Sequence, residues 1–183
     1  MKKCRHCGNR FEPRFSSLER FCWNPECKTI DAMEKLDRLK KNESKQWNIQ
    51  RKKIREKLKT TSDWKNDLQK TFNEFIRIRD KHKPCISCGR KLPEKFDAGH
   101  FHSVGSSPSL RFNESNVHGQ CVHCNRDKHG NLHEYRVGLI QRVGNDVVDE
   151  LDAKRHESRK WTQPEIVEMI QQYKMKIKLL KKM

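Results

Sequence analysis

The chain has 183 residues, with Lys+Arg 41 against Asp+Glu 24 and a formal net charge of +17. Only 33% of residues are hydrophobic and 36% are charged, thin material for one large core when each ordered residue costs about 1–2 kcal/mol of backbone entropy. No run of about 20 apolar residues is present, which excludes a transmembrane helix, and the excess of positive charge points to a polyanion, most often nucleic acid.

The first expected segment is residues 1–27. Its N-terminus, MKKCRHCGNRF, lacks the apolar stretch of a signal peptide. A protein kept in a reducing cytoplasm uses paired cysteines as metal ligands rather than as disulfides. Cys4, Cys7, Cys22 and Cys27 are spaced C-x2-C-x14-C-x4-C. Four thiolates suit tetrahedral Zn²⁺, so a small zinc knuckle or ribbon is expected, with Phe11, Phe15, Phe21 and Trp23 between its cysteines.

Residues 28–61 are expected to be a long basic helical connector. Positions 28–59 hold twelve Lys/Arg and five Asp/Glu, with no Pro or Gly. The apolar stripe of Ile30, Met33, Leu36 and Leu39 is thin, and fraying is expected near Asn42–Ser44. Such a helix is a solvated spacer, a phosphate-contacting arm or a dimer-forming surface.

Residues 62–145 carry the chemistry. Ser62 is placed to cap a helix whose apolar face is Trp64, Leu68, Phe72, Phe75 and Ile76, and Pro84 stops it. That face is expected to be the core of a second zinc module, formed by Cys85, Cys88, Cys121 and Cys124 as C-x2-C-x32-C-x2-C. All eight cysteines are thus used in two sets of four, implying two structural Zn²⁺ sites. Between and just after the second pairs stand Asp97, His100, His102, Asn116, His118, Asn125, Lys128 and His129, a load that a purely structural loop does not need. Phosphodiester hydrolysis does need such a set. A hard ion, Mg²⁺ or Mn²⁺, takes oxygens such as those of Asp97 and Asn125, and a neutral imidazole such as His100 deprotonates water near pH 7. A β-hairpin over 95–103 would turn Asp97 and His100 toward one spot. A helix starting after Cys124 would hold Asn125 in its first turn, giving a zinc-stabilised ββα-metal arrangement.

A further helix is expected to end near Gly144. Residues 146–183 are expected to be basic C-terminal helices, the last opened by a capping box from Thr162 to Glu165 with a stripe of Ile166, Ile170, Tyr173, Ile177 and Leu180. The fold class expected is α+β, mostly helical.

The order CxxC, D-x-x-H, CxxC-N resembles the endonuclease VII branch of the HNH (His-Me finger) nucleases. More closely, PCISCG, FDAGHF, LRFNESNVHGQCVHCN, GNLHEYRVGLI and RKWTQPEI together resemble the phage lambda NinG family, also called Rap, over nearly the whole chain. The resemblance implies a structure-specific endonuclease of phage recombination that acts on Holliday junctions, D-loops and other branched DNA in the cytoplasm of the bacterial host. It assigns Asp97 and Asn125 to the catalytic ion and His100 to the general base. Asn116 or His118 would brace the hairpin, and the third metal ligand stays open, with His129 one turn after Asn125 as a candidate. Paired cuts suggest a homodimer, and a phage recombinase or single-strand-binding protein is a further candidate partner. The alternative is a non-catalytic zinc-finger protein that binds or bridges DNA, which would gain nothing from Asp97, His100 and Asn125.

Overall fold

The computed structural model describes residues 1–182 and divides the chain into two compact units, one ending at Leu58 and one beginning at Lys59. In the first, strand β1 (Lys2–Lys3) pairs antiparallel with β2 (Arg10–Phe11). The turn between them carries Cys4 and Cys7. Helix α1 (Pro25–Lys57) follows, capped by the Asn24 carboxamide, which accepts from the Glu26 N–H at 2.9 Å. Cys27 lies in its first turn and is its one buried residue, so the helix starts inside the cysteine module instead of following it. With no Gly or Pro after Pro25, the helix runs unbroken through Asn42–Ser44, where fraying was expected, for about 50 Å. Met33, Leu36 and Leu39 stay exposed along it.

The second unit opens with α2 (Thr61–Asp80). Its cap is Thr60, not the expected Ser62. Asp63 explains the shift: its backbone N–H donates to the Thr60 hydroxyl while its carboxylate accepts from the Thr60 N–H at 2.9 Å, a reciprocal pair that Ser62 lacks. Leu68, Phe72, Phe75 and Ile76 are buried as their spacing requires. Their partners are Ile166, Ile170, Tyr173 and Ile177 of the last helix, α5 (Gln163–Leu180), together with Phe112 and Val117. The second cysteine set is not packed on this face; it has a small core of its own with Leu92 and Phe96. Residues 146–183 are therefore not a separate region, because α5 supplies half of the core that α2 needs.

Two short antiparallel strands, β3 (Asp97–His100) and β4 (Val117–Gln120), pack against α2 in the register Asp97↔Gln120 to His100↔Val117. They are joined by the long 101–116 loop rather than by a tight hairpin. Helices α3 (Leu132–Val143) and α4 (Asn145–Lys154) close the unit over Ile86, Phe101, Leu110, Tyr135, Leu139, Val148 and Leu151. No helix among the described residues is long and apolar enough to cross a membrane.

Tyr135 bolts the two strands together. Fully buried, its hydroxyl accepts from the His118 N–H at 3.1 Å and donates to the Gly99 carbonyl at 2.8 Å. Tyr135→Phe keeps the ring and orphans both backbone groups. Urea unfolding should show a loss of about 1–3 kcal/mol; an unchanged midpoint would mean that the strands re-pair directly.

Candidate active site

Each cysteine set closes around one point. Within each, the four sulfurs lie within 4.8 Å of one another, with Cys7 and Cys22 at 3.6 Å and Cys88 and Cys121 at 3.9 Å. Zn–S bonds of about 2.3 Å give a tetrahedron with edges of about 3.8 Å, and a disulfide would need about 2.05 Å, so both sets could hold a zinc ion. The same knuckle is built twice. In C-R-H-C-G and C-I-S-C-G the glycine takes a left-handed φ, +75° at Gly8 and +66° at Gly89. Its N–H returns to the first cysteine's carbonyl at 3.1 and 3.0 Å, and the first cysteine's own N–H reaches the carbonyl of Asn9 or Arg90, at 2.8 Å in both. In the second set burial and neighbouring sulfurs push the Cys124 thiol up to about 12. Burial also works against Cys88, but the Arg90 hydrogen bonds draw it down to about 6. Four thiolates together require a cation at their centre.

The second cysteine set positions Asn125. Helix geometry after Cys124 is limited to one wide π turn, His123–Asp127, instead of the expected α-helix, because the left-handed residues His129, Gly130 and Asn131 reverse the chain before α3. In that turn the Asn125 carboxamide lies 3.0 Å from the Asp97 carboxylate, and Arg126 clasps both carboxylate oxygens at 2.9 and 3.0 Å. Burial raises the Asp97 pKa, but the bonds from Arg126 and Asn125 and the charge of Arg77 bring it below its usual value, so the group is ionised at neutral pH. Turned over, the Asn125 amide presents its oxygen beside that carboxylate. Two protein oxygens suit Mg²⁺, which keeps several waters or phosphate oxygens of its own. Such an ion would displace the guanidinium of Arg126, whose side chain is 67% exposed and leaves easily. His129 is exposed and makes no side-chain hydrogen bond to Asp97 or Asn125 among the described residues. The only described clusters of three or more His, Cys or carboxylate ligands are the two cysteine sets.

His100 ends β3. An odd separation in a strand sends two side chains to opposite faces, so Asp97 and His100 do not meet at one spot, as a hairpin turn would have arranged. Ala98, on the His100 face, packs on the α2–α5 core. The His100 Nε2 sits 3.1 Å from the Arg111 carbonyl. A carbonyl only accepts, so Nε2 carries the proton and Nδ1 is left as the basic nitrogen. Burial lowers the His100 pKa against the pull of the Arg111 and Ala98 carbonyls, keeping the ring neutral near pH 7. The other edge of β3 pairs with no described strand. Gly99 is required between the two: an added Cβ would lie 2.1 Å from the Gln120 Oε1, since the buried Gln120 side chain crosses over it.

Sequence reading missed the support behind β4. Asp80 is fully buried and accepts from the Gly119 N–H at 2.9 Å and from Arg79 at 2.8 and 2.9 Å, while Arg79 also donates to the Val117 carbonyl at 2.7 Å. The signal was an Arg-Asp pair on the inner side of an amphipathic helix. His118 joins this network, with Nδ1 3.1 Å from Arg79 and Nε2 3.1 Å from the Ser115 carbonyl. Burial and the Arg79 charge push its pKa down to about 4, against the opposing pull of Asp80. Below an unfolded value near 6.5 the unfolded chain takes up a proton that the folded one refuses, so stability falls as pH drops from about 6.5 toward 4. Between pH 7 and pH 5 the loss should be about 2 kcal/mol by urea denaturation, and His118→Gln should remove that part of the slope. Equal slopes in the two proteins would contradict the assignment. Asn116 is buried and clasps the 101–116 loop, accepting from the His102 N–H at 2.9 Å and donating to the His102 and Leu110 carbonyls. His102 itself pairs with Asp152 at 2.8 Å.

No solved structure matches the chain. The chain is 38% identical to protein ninG of Escherichia phage lambda, over 98% of this chain and 93% of that one. It is 38% identical to protein ninG of Escherichia phage 933W, over 98% and 94%. Protein ninG of Salmonella phage P22 is 37% identical, also over 98% and 94%. The family model described as bacteriophage lambda NinG protein matches residues 1–183, and the chain belongs to that family.

Proposed function

We propose that this protein is a metal-dependent endonuclease of phage recombination that hydrolyses phosphodiesters in branched DNA. The observation that carries the reading is the pairing, across one short strand, of an ionised Asp97 beside Asn125 with a neutral, half-buried His100. A phosphodiester lying along the open edge of β3 meets groups from both faces. On one face Asp97 and Asn125 would hold a divalent ion, which supplies charge neutralisation at the phosphate oxygens when bound. On the other, the His100 Nδ1 accepts the proton of the attacking water while its Nε2–H stays on the Arg111 carbonyl. The net charge of +17 supplies the phosphate attraction, with the strong salt dependence that follows from counterion release. Resolving a branch takes two cuts, so a homodimer is part of the proposal.

One observation favours a non-catalytic DNA-binding protein instead: Arg126 clasps both carboxylate oxygens of Asp97. A labelled four-way junction beside a matched linear duplex, with and without Mg²⁺, separates the two readings. Cutting of the junction that depends on Mg²⁺ supports the nuclease. Binding of the junction without cutting under Mg²⁺ or Mn²⁺ leaves the Arg126–Asp97 pair as a structural bolt.

A further inference from the structure

We propose that the N-terminal cysteine unit is a binding platform for unpaired DNA bases, built on Phe15 and Trp23. Phe15 is 83% exposed, its neighbour Leu18 is 82% exposed and Trp23 is 37% exposed. The exposure is built in. The Glu19 carboxylate accepts from the Arg14 and Phe15 N–H groups at 3.1 and 3.2 Å, and the Ser16 hydroxyl accepts from the Leu18 N–H at 3.1 Å. This turn holds the Phe15 ring out to water, where it stands edge-on to Trp23 at 5.2 Å. Trp23 is fixed from its own faces by Lys28 at 4.0 Å and Arg14 at 5.1 Å. Together they flank a cleft of about 710 Å³ that runs onto the start of α1.

The charges around the cleft select the occupant. Arg20, Lys28, Lys35 and Arg38 line it against Glu19 and Asp31. Glu19 is committed to the turn, and Asp31 is paired with Lys35 at 2.7 Å. An exposed apolar ring with cations around it and no free carboxylate suits a base stacked on Phe15 with its phosphates on the cations. A duplex offers no free base face, so the occupant is a single strand. Basic residues continue along α1 from Lys40 to Lys57, a path for the following phosphates. A protein partner is the competing occupant, and the test separates the two.

The measurement is fluorescence anisotropy with the full-length protein, no divalent ion, and labelled strands of about 12 nucleotides, within the site sizes typical of such binding. One strand is oligo-dT; the other carries the same phosphates on abasic sugars. Wild type should prefer oligo-dT, and Phe15→Ala should weaken oligo-dT by about five- to a hundredfold while leaving the abasic strand nearly unchanged. Phe15→Tyr should restore the preference, and zinc content should be equal in all three proteins. Equal wild-type affinity for the two strands overturns the proposal, as does unchanged oligo-dT binding by Phe15→Ala; the patch then passes to a protein partner. With neither branch nor catalytic ion present, the outcome is independent of the nuclease reading.

Discussion

Cys124→Ser is expected to unfold the second unit. Cys124 is fully buried, and its set packs with Leu92 and Phe96 beside the turn that carries Asn125. Structural zinc contributes on the order of 10–16 kcal/mol of apparent binding free energy in small zinc domains, against total domain stabilities of about 5–15 kcal/mol. A buried serine hydroxyl in place of a thiolate removes that contribution and leaves a polar group without a partner. Zinc per chain should fall from about two to about one, and the cooperative melt of the α2–α5 core should be lost or shifted strongly downward. Cys7→Ser is the matched control. Cys7 is exposed and belongs to the other unit, so it should cost one zinc and leave that melt in place. Wild type that purifies without zinc, or Cys124→Ser with an unchanged melt, would overturn the structural-zinc assignment.

Under the proposed nuclease reading, His100→Ala and Asp97→Ala should each lower Mg²⁺-dependent junction cleavage by roughly 10²–10⁴-fold, the usual contribution of a positioned general base or of comparable ion-binding groups. Junction affinity should not fall below that of wild type, since neither change removes a basic group that meets phosphates. The two variants differ in their second readout. Asp97→Ala frees Arg126 and removes the ion's carboxylate, so activity should not return at higher Mg²⁺. His100→Ala keeps the ion site and loses the acid limb of the pH–rate profile. In wild type that limb lies below the ordinary histidine value, because burial lowers the His100 pKa. Cleavage by His100→Ala at the wild-type rate would remove His100 from the chemistry. Loss of binding in step with cleavage would make both residues structural.

Features set by local spacing were legible before any fold was known. The two cysteine sets, the apolar faces of α2 and α5, the Thr162–Glu165 box and the end of α3 at Gly144 all depend on contacts a few residues apart or on ligand number, and each stands in the fold where the spacing put it. The approach of Asn125 to Asp97 was legible for a related reason: a closed four-cysteine set pins residue 125 near the strand that lies between its halves.

Tertiary structure alone decided which face met which. The stripe of α2 chose α5, some 90 residues later, over the nearby cysteine set, because only a long helix can cover a long apolar face. Strand alternation put Asp97 and His100 on opposite faces, whereas a hairpin turn would have turned both to one spot. Arg126 went to Asp97, and Arg79 and Asp80 went to the backbone of β4, since an unpaired carboxylate buried near a strand costs more than a distant partner's ordering. By itself the sequence determined the ligands, the helices and the charge. The partners of each buried face depended on long-range packing that no local pattern encodes.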